Sequence, residues 1–250
     1  MYLVGDIGNT EVKICAFNSN KKLLKKIILK SNLITNKYLY KRLIFLKSKK
    51  YKLQHAIFCS VVPKCYKKIK FFIKKKLNIN CTELKELKLD KLIKIKVNRK
   101  QIGSDRLSNA ISVIDNKNNY VIVDFGTATT FDVVIKNNYL GGIIAPGVNL
   151  SLNTLISKAS LIPSLALTSV NKVLGKNTKS AVKSGFYWGY AGLIDNVIKK
   201  IINQTNNKYK IIFTGGLSHL FKKAMDAKVR VERDLTIKGL LKVVHLLKQK

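Results

Sequence analysis

The chain has 250 residues, with 48 Lys or Arg against 13 Asp or Glu, a formal net charge of +35 and a sequence pI of about 10.1. That length allows one large domain or two small ones with a real core, and no run approaches the ~18 apolar residues of a membrane span. The charge raises nucleic-acid binding, but the cations are overwhelmingly lysine and spread along the chain, whereas phosphate forks and base readout favour arginine, so no specific nucleic-acid partner is expected.

In chain order, Tyr2–Asp6, Val12–Phe17 and Leu23–Leu29 read as three strands joined by tight turns. Tyr38–Lys47 reads as a helix, and His55–Val61, a short continuous apolar run, as a buried strand. Pro63 opens a very basic helix, Lys64–Leu77, with Ile69, Phe72 and Ile73 on one side. Glu83–Val97 reads as a short helix or loop and then a strand, and Arg106–Ile114 as a helix. The pattern resembles a ribonuclease H-like half. It then recurs: strands at Tyr120–Asp124, Thr130–Ile135 and Tyr139–Ala145, and a helix over Val148–Ala159. A loop-rich insertion, Leu161–Asn177, leads to a long helix, Thr178–Gln204, whose Gly185, Gly189 and Gly192 are expected to allow close packing along one stripe. A strand at Lys210–Thr214, a helix at Leu217–Met225, a short strand at Arg230 and Val231 and a final helix, Leu235–Lys248, complete it. No linker rich in Pro, Gly or Ser divides the chain. The expectation is an α/β fold of two duplicated halves with mixed sheets, residues 1–115 and 116–250.

The repetition is chemical as well as structural. Asp6-Ile7-Gly8-Asn9-Thr10 runs from one apolar strand into another that begins Glu11-Val12-Lys13, and Asp124-Phe125-Gly126-Thr127-Ala128-Thr129 does the same before Asp132. Glycine lets backbone approach an anion, and hydroxyl and amide groups donate to it. An aspartate can hold the cation that neutralises phosphate. Either hairpin alone could be an ordinary turn; two copies point to phosphate-gripping hairpins facing one another across a cleft. Phe213-Thr214-Gly215-Gly216-Leu217, between a strand and a helix, reads either as a plain turn or as a flat surface for a base or ribose. Ile102-Gly103-Ser104-Asp105-Arg106 opens a helix. There Ser104 or Asp105 serves as an N-cap, or Asp105 is a general base and Arg106 an anion clamp, as phosphoryl transfer to an alcohol requires. Gly141-Gly142-Ile143-Ile144-Ala145-Pro146-Gly147 ends a strand and could line an acceptor pocket. Cys15, Cys59, Cys65 and Cys81 form no C-x-x-C pair and read as buried free thiols rather than a zinc site. The three histidines are scattered, and His245, in an apolar helical stretch, is given no chemistry. The first strand begins at once and holds Asp6, so it is no signal peptide, and a cytoplasmic protein is expected.

Taken in order, these motifs resemble the type III pantothenate kinases, of the acetate and sugar kinase, actin and chaperone superfamily, over essentially the whole chain. The resemblance implies ATP-dependent phosphorylation of pantothenate, the first step of coenzyme A synthesis, by an actin-like ATPase fold with the nucleotide in the cleft between its halves. It implies Mg²⁺, dependence on K⁺ or NH₄⁺, and a homodimer. Carried over by position, Asp6, Ile7, Gly8, Asn9, Thr10, Glu11, Val12 and Lys13 would bind ATP phosphates together with Thr127. Gly103, Ser104, Asp105 and Arg106 would bind pantothenate, with Asp105 as the base. Asp124 would hold the monovalent cation, Thr178 would contact the acceptor, and the Thr214-Gly215-Gly216 motif would serve the nucleotide. Where the family often has Tyr-Asn-Pro, this chain has Val97-Asn98-Arg99. Rival readings are a kinase of another small alcohol on the same fold, and a nucleic-acid-binding regulatory relative without kinase activity.

Overall fold

The computed structural model describes residues 1–48 and 53–246, the last two by backbone alone. Residues 247 and 248 of the expected final helix, and the side chain of His245, lie outside the described part. The chain divides into two units, Met1–Ile114 with Leu235–Lys250, and Asp115–Asp234.

In the first unit, β1 (Tyr2–Ile7), β2 (Glu11–Phe17) and β3 (Leu23–Lys30) form an antiparallel meander. β4 (His55–Ser60) then pairs parallel to β1, and β5 (Cys81–Glu83) parallel to β4, giving the order β3-β2-β1-β4-β5. The central strands β1 and β4 are buried along most of their length, as continuous apolar runs covered on both faces should be. Edge strand β3 buries Ile27 and Leu29 and turns Lys26 and Lys30 to solvent, a charged edge that discourages further pairing. Helix α1 (Asn36–Leu43) starts where the Thr35 hydroxyl accepts from the Tyr38 N–H at 3.2 Å. Helix α2 (Pro63–Phe72) starts on a proline whose missing N–H costs nothing there. It widens over Ile73–Leu77 and ends at Asn78, whose φ of 54° is left-handed. A short strand β6 (Lys94–Ile95) and helix α3 (Ser104–Val113) follow.

The second unit repeats the pattern. β7 (Asn119–Phe125), β8 (Ala128–Ile135) and β9 (Asn138–Pro146) form the meander. Helices α4 (Val148–Lys158) and α5 (Thr178–Thr205) lead to β10 (Lys210–Gly215), parallel to β7. Helix α6 (Ser218–Lys222) leads to β11 (Val229–Val231), parallel to β10. The order β11-β10-β7-β8-β9 mirrors the first unit strand for strand. Its core centres on Phe125, which stacks on Phe221 at 5.2 Å and meets Phe213 edge-on at 5.1 Å.

Two expectations are corrected. Residues 116–250 do not form one unit, because the final helix α7 (Leu235–Leu246) packs on α3 of the first. It buries Ile237, Leu240, Val243 and Val244. Gly239 lies so close to the Ser108 backbone that a β-carbon has no room. The Ser108 hydroxyl donates to the Thr236 carbonyl at 2.7 Å, and the Thr236 hydroxyl donates to Asn109 Oδ1 at 2.9 Å. The glycine stripe of α5 differs too, since Gly185, Gly189 and Gly192 have no atom of the described chain packed over them. The preceding segment touches α5 elsewhere: Gly175 sits against Ala181, and the Ser184 hydroxyl donates to the Val173 carbonyl. Among the described residues no helix is long and apolar enough to cross a membrane.

Candidate active site

The first hairpin ends β1 at a carboxylate with two strand neighbours. Asp6 lies opposite Lys13 on β2 and level with Cys59 on β4. The Cys59 thiol donates to Asp6 Oδ1 at 3.4 Å. The turn is closed by the Gly8 N–H donating to the Glu11 carbonyl at 3.0 Å. Ser31, just past β3, fastens it from the side. Its hydroxyl donates to the Gly8 carbonyl at 2.7 Å and its N–H to the Thr10 carbonyl at 3.0 Å. Asn9, Thr10 and Glu11 are exposed at the tip, while Ile7 and Val12 are buried and can serve a ligand only through their backbone.

Helix α3 brings a second carboxylate to the same place. Its N-cap is Gly103, with no side-chain cap, so neither Ser104 nor Asp105 plays that part. Ser104 is buried and its hydroxyl donates to a Glu83 carboxylate oxygen. Asp105 accepts from the Arg106 N–H at 2.8 Å. Burial pushes the Asp105 carboxyl above its ordinary value, against the pull of the Arg106 N–H and guanidinium. The Cys59 thiol reports the same crowding. Burial raises it most, and the negative charges of Asp6, Asp105 and Glu83 raise it further. Asp6 thus meets Cys59, and Ser104 meets Glu83, neither of which the sequence reading placed in a site, and the Asp105 charge is felt at the Cys59 thiol. The Glu83-x-x-Glu86 spacing of a capping box was the available signal for Glu83.

In the second unit, Asp124 is level with Thr130 on β8 and Thr214 on β10. Its turn is tighter than the first, the Gly126 N–H donating to the Ala128 carbonyl at 3.1 Å with Thr127 at the tip. Two glycine-bearing segments meet it. Gly215 has φ +85°, and a β-carbon on it would meet the Phe125 carbonyl at 2.6 Å and Asp124 Oδ1 at 2.7 Å. Gly147 packs directly on the Thr127 and Gly126 backbone, where no side chain fits. Gly216 faces open space, a flat stretch of backbone. Asp132 belongs elsewhere: it is fully buried and takes the Tyr139 hydroxyl at 2.7 Å. Thr178 is the exposed first residue of α5, within the Asn177–Ser180 capping box. Among the described residues no three His, Cys, Asp or Glu side chains cluster as metal ligands would.

Residues 2–200 match the family model for type III pantothenate kinase. A type III pantothenate kinase of Pelagibacter ubique is 56% identical over 248 residues, 99% of this chain and 100% of that one. One from Paramagnetospirillum magneticum is 37% identical over 191 residues, 75% of this chain and 74% of its own. Among solved structures, a Campylobacter jejuni protein assigned to the Baf family of transcriptional activators covers 99% of this chain and 100% of its own, with TM-score 0.65 and 20% identity. An inorganic polyphosphate/ATP-glucomannokinase from Arthrobacter covers 100% and 99%, with TM-score 0.52 and 10% identity. At such identities the two structures speak for the fold alone.

Proposed function

The chain belongs to the type III pantothenate kinase family, and we infer that it uses ATP to phosphorylate pantothenate to 4'-phosphopantothenate, the first step of coenzyme A synthesis. The observation that carries the mechanism is Asp105, a half-buried carboxylate at the first turn of α3 with a raised pKa and Arg106 beside it. A base for an alcohol must be ionised yet basic, and burial moves Asp105 in that direction. Arg106 offers the planar fork that holds a carboxylate through both oxygens, and pantothenate carries one. Gly103 and Ser104 complete this acceptor loop, and Thr178 contacts the acceptor.

For ATP, the hairpin from Asp6 to Lys13 supplies turn amides, the Thr10 hydroxyl and the Lys13 ammonium, and Thr127 adds a hydroxyl at the tip of the second hairpin. Mg²⁺ travels with the phosphates and needs one or two carboxylates; Asp6 is suited to that. Asp124 is the candidate ligand for K⁺ or NH₄⁺. Its carboxylate and the Phe125 carbonyl both lie against Gly215, an oxygen-only donor set that suits a hard cation and not a thiolate-seeking metal. A homodimer is supported by apolar surface on the second unit, with Ile144, Leu150, Leu161, Val173 and Leu174 exposed. Work in the cytoplasm is supported by four buried cysteines, none of them in a disulfide.

The test is ADP release in K⁺ buffer with Mg²⁺ and ATP, with pantothenate present and absent, and the mass of the product. Pantothenate-dependent ADP and phosphorylated pantothenate are expected. Turnover of a different alcohol only would move the chain to another acceptor on the same fold.

A further inference from the structure

We propose that Glu83, Lys85 and Arg99 form a clasp that positions the acceptor loop Gly103–Arg106, making Lys85 and Arg99 positioning residues for phosphoryl transfer. Between β5 and α3 the chain runs twenty residues with little regular structure, yet Asp105 at its end must be held to a fraction of an ångström to act as a base. The two ends of this segment are tied to one another. One Glu83 carboxylate oxygen takes the Ser104 hydroxyl, and the other takes the Lys85 N–H at 2.6 Å. The Lys85 ammonium reaches across to the Lys100 and Ile102 carbonyls, both at 2.9 Å. In return, the Arg99 guanidinium donates to the Lys85 carbonyl at 3.1 Å and the Leu87 carbonyl at 2.5 Å. Each strand of the segment thus lends a cation to the other's backbone.

Lys85 stands apart from its surroundings. Lys88, Lys91, Lys94, Lys96 and Lys100 in the same segment are exposed, whereas Lys85 is half-buried with two of its three donors engaged. The carbonyls it holds are those of the residues leading into Gly103. Losing Lys85 leaves the Lys100 and Ile102 carbonyls without that donor and frees the loop on the side where it meets α3. Arg99 secures the opposite side, and Glu83 secures Ser104, the residue before the base.

This rests on the reading of Gly103–Arg106 as the pantothenate site, and the experiment separates the two. Steady-state kinetics and thermal melting are measured on the full chain with ATP, Mg²⁺ and K⁺, for Lys85→Met, Lys85→Arg, Arg99→Met, Glu83→Leu, Glu83→Gln and Asp105→Asn. Misplacement of an acceptor loop is expected to raise the pantothenate KM and lower kcat, by ~10-fold to ~100-fold together, in Lys85→Met, Arg99→Met and Glu83→Leu. The ATP KM should stay within about twofold, since a displaced acceptor loop costs orientation of the alcohol and not nucleotide binding. Lys85→Arg and Glu83→Gln, which keep a donor or acceptor, should recover most of the loss. If Lys85→Met does not fold, the Glu83→Leu and Glu83→Gln pair decides. A folded Lys85→Met or Glu83→Leu with wild-type pantothenate KM and kcat overturns the clasp, as does an ATP KM that rises in step. Full turnover by Asp105→Asn overturns the acceptor-site reading instead.

Discussion

The two units share a sheet order and differ in what they place at its centre. Asp6 in β1 and Asp124 in β7 are each the last residue but one of their strand, with a parallel neighbour on one side and an antiparallel one on the other. Beside Asp6 stands Cys59, with Ser60 following; beside Asp124 stands Thr214, with Gly215 following. In the first unit a buried thiol lies against Asp6 and is held protonated, mostly by its burial and further by the charges of Asp6, Asp105 and Glu83. The second unit gathers backbone, with Gly147 and Gly215 pressed against the Asp124–Thr127 turn. One scaffold used twice thus surrounds its central aspartate with different neighbours in the two units.

The contrast breaks most visibly at Asp105. Replacing it with Asn keeps size and removes the proton acceptor, so kcat should fall ~10²–10⁴-fold. Burial raises the Asp105 pKa, so the folded state favours the protonated form. Its contribution to stability is therefore present at low pH and is lost as pH climbs from the ordinary carboxylate value to the raised one. At neutral pH the Asn variant should melt no lower than wild type.

Gly215→Ala probes the other half. The left-handed φ and the contacts with Asp124 and the Phe125 carbonyl should cost ~1–3 kcal/mol of stability, read by denaturant unfolding, and should raise the ATP KM. Ser60→Ala, at the matching position of the first unit, removes one bond from the Val62 N–H and should cost only ~0.5–1.5 kcal/mol. Equal penalties at the two positions would erase the distinction between the units. Asp124→Asn should remove the advantage of K⁺ over Na⁺ in the assay; equal wild-type rates in both buffers would show that Asp124 holds no monovalent cation. The same Asp105 shift sets the acid limb of kcat. The base must be ionised, so the rate should rise with pH through a midpoint above the ordinary carboxylate range. The smallest effect concerns the surface charge: DNA binding should be weak, indifferent to sequence and steeply reduced by salt, as checked by fluorescence anisotropy in a salt series.

Much of this was legible in the sequence for local reasons. Apolar runs bounded by Asp-x-Gly and Asn turns mark the meanders, and their repetition singled out Asp6 and Asp124. Gly103–Arg106 stood out by its chemistry, although its helix uses Gly103 as N-cap and leaves Ser104 to Glu83. What was hidden is non-local. The attachment of α7 to α3 depends on Gly239 meeting Ser108, a pairing no periodicity announces. Cys59 reads as a buried thiol, which it is, but its place beside Asp6 needs the strand order. Lys85 and Arg99 sit in a chain where lysine is everywhere, so composition masks the cation that is structurally engaged. The α5 glycines carried a packing signal that no described residue of this chain answers.

Calorimetric titration of the Asp105→Asn variant with a non-hydrolysable ATP analogue and Mg²⁺ tests the division of labour most directly. Wild-type nucleotide affinity is expected in a protein that no longer turns over pantothenate. Loss of nucleotide affinity alongside turnover, or turnover that persists, would contradict it.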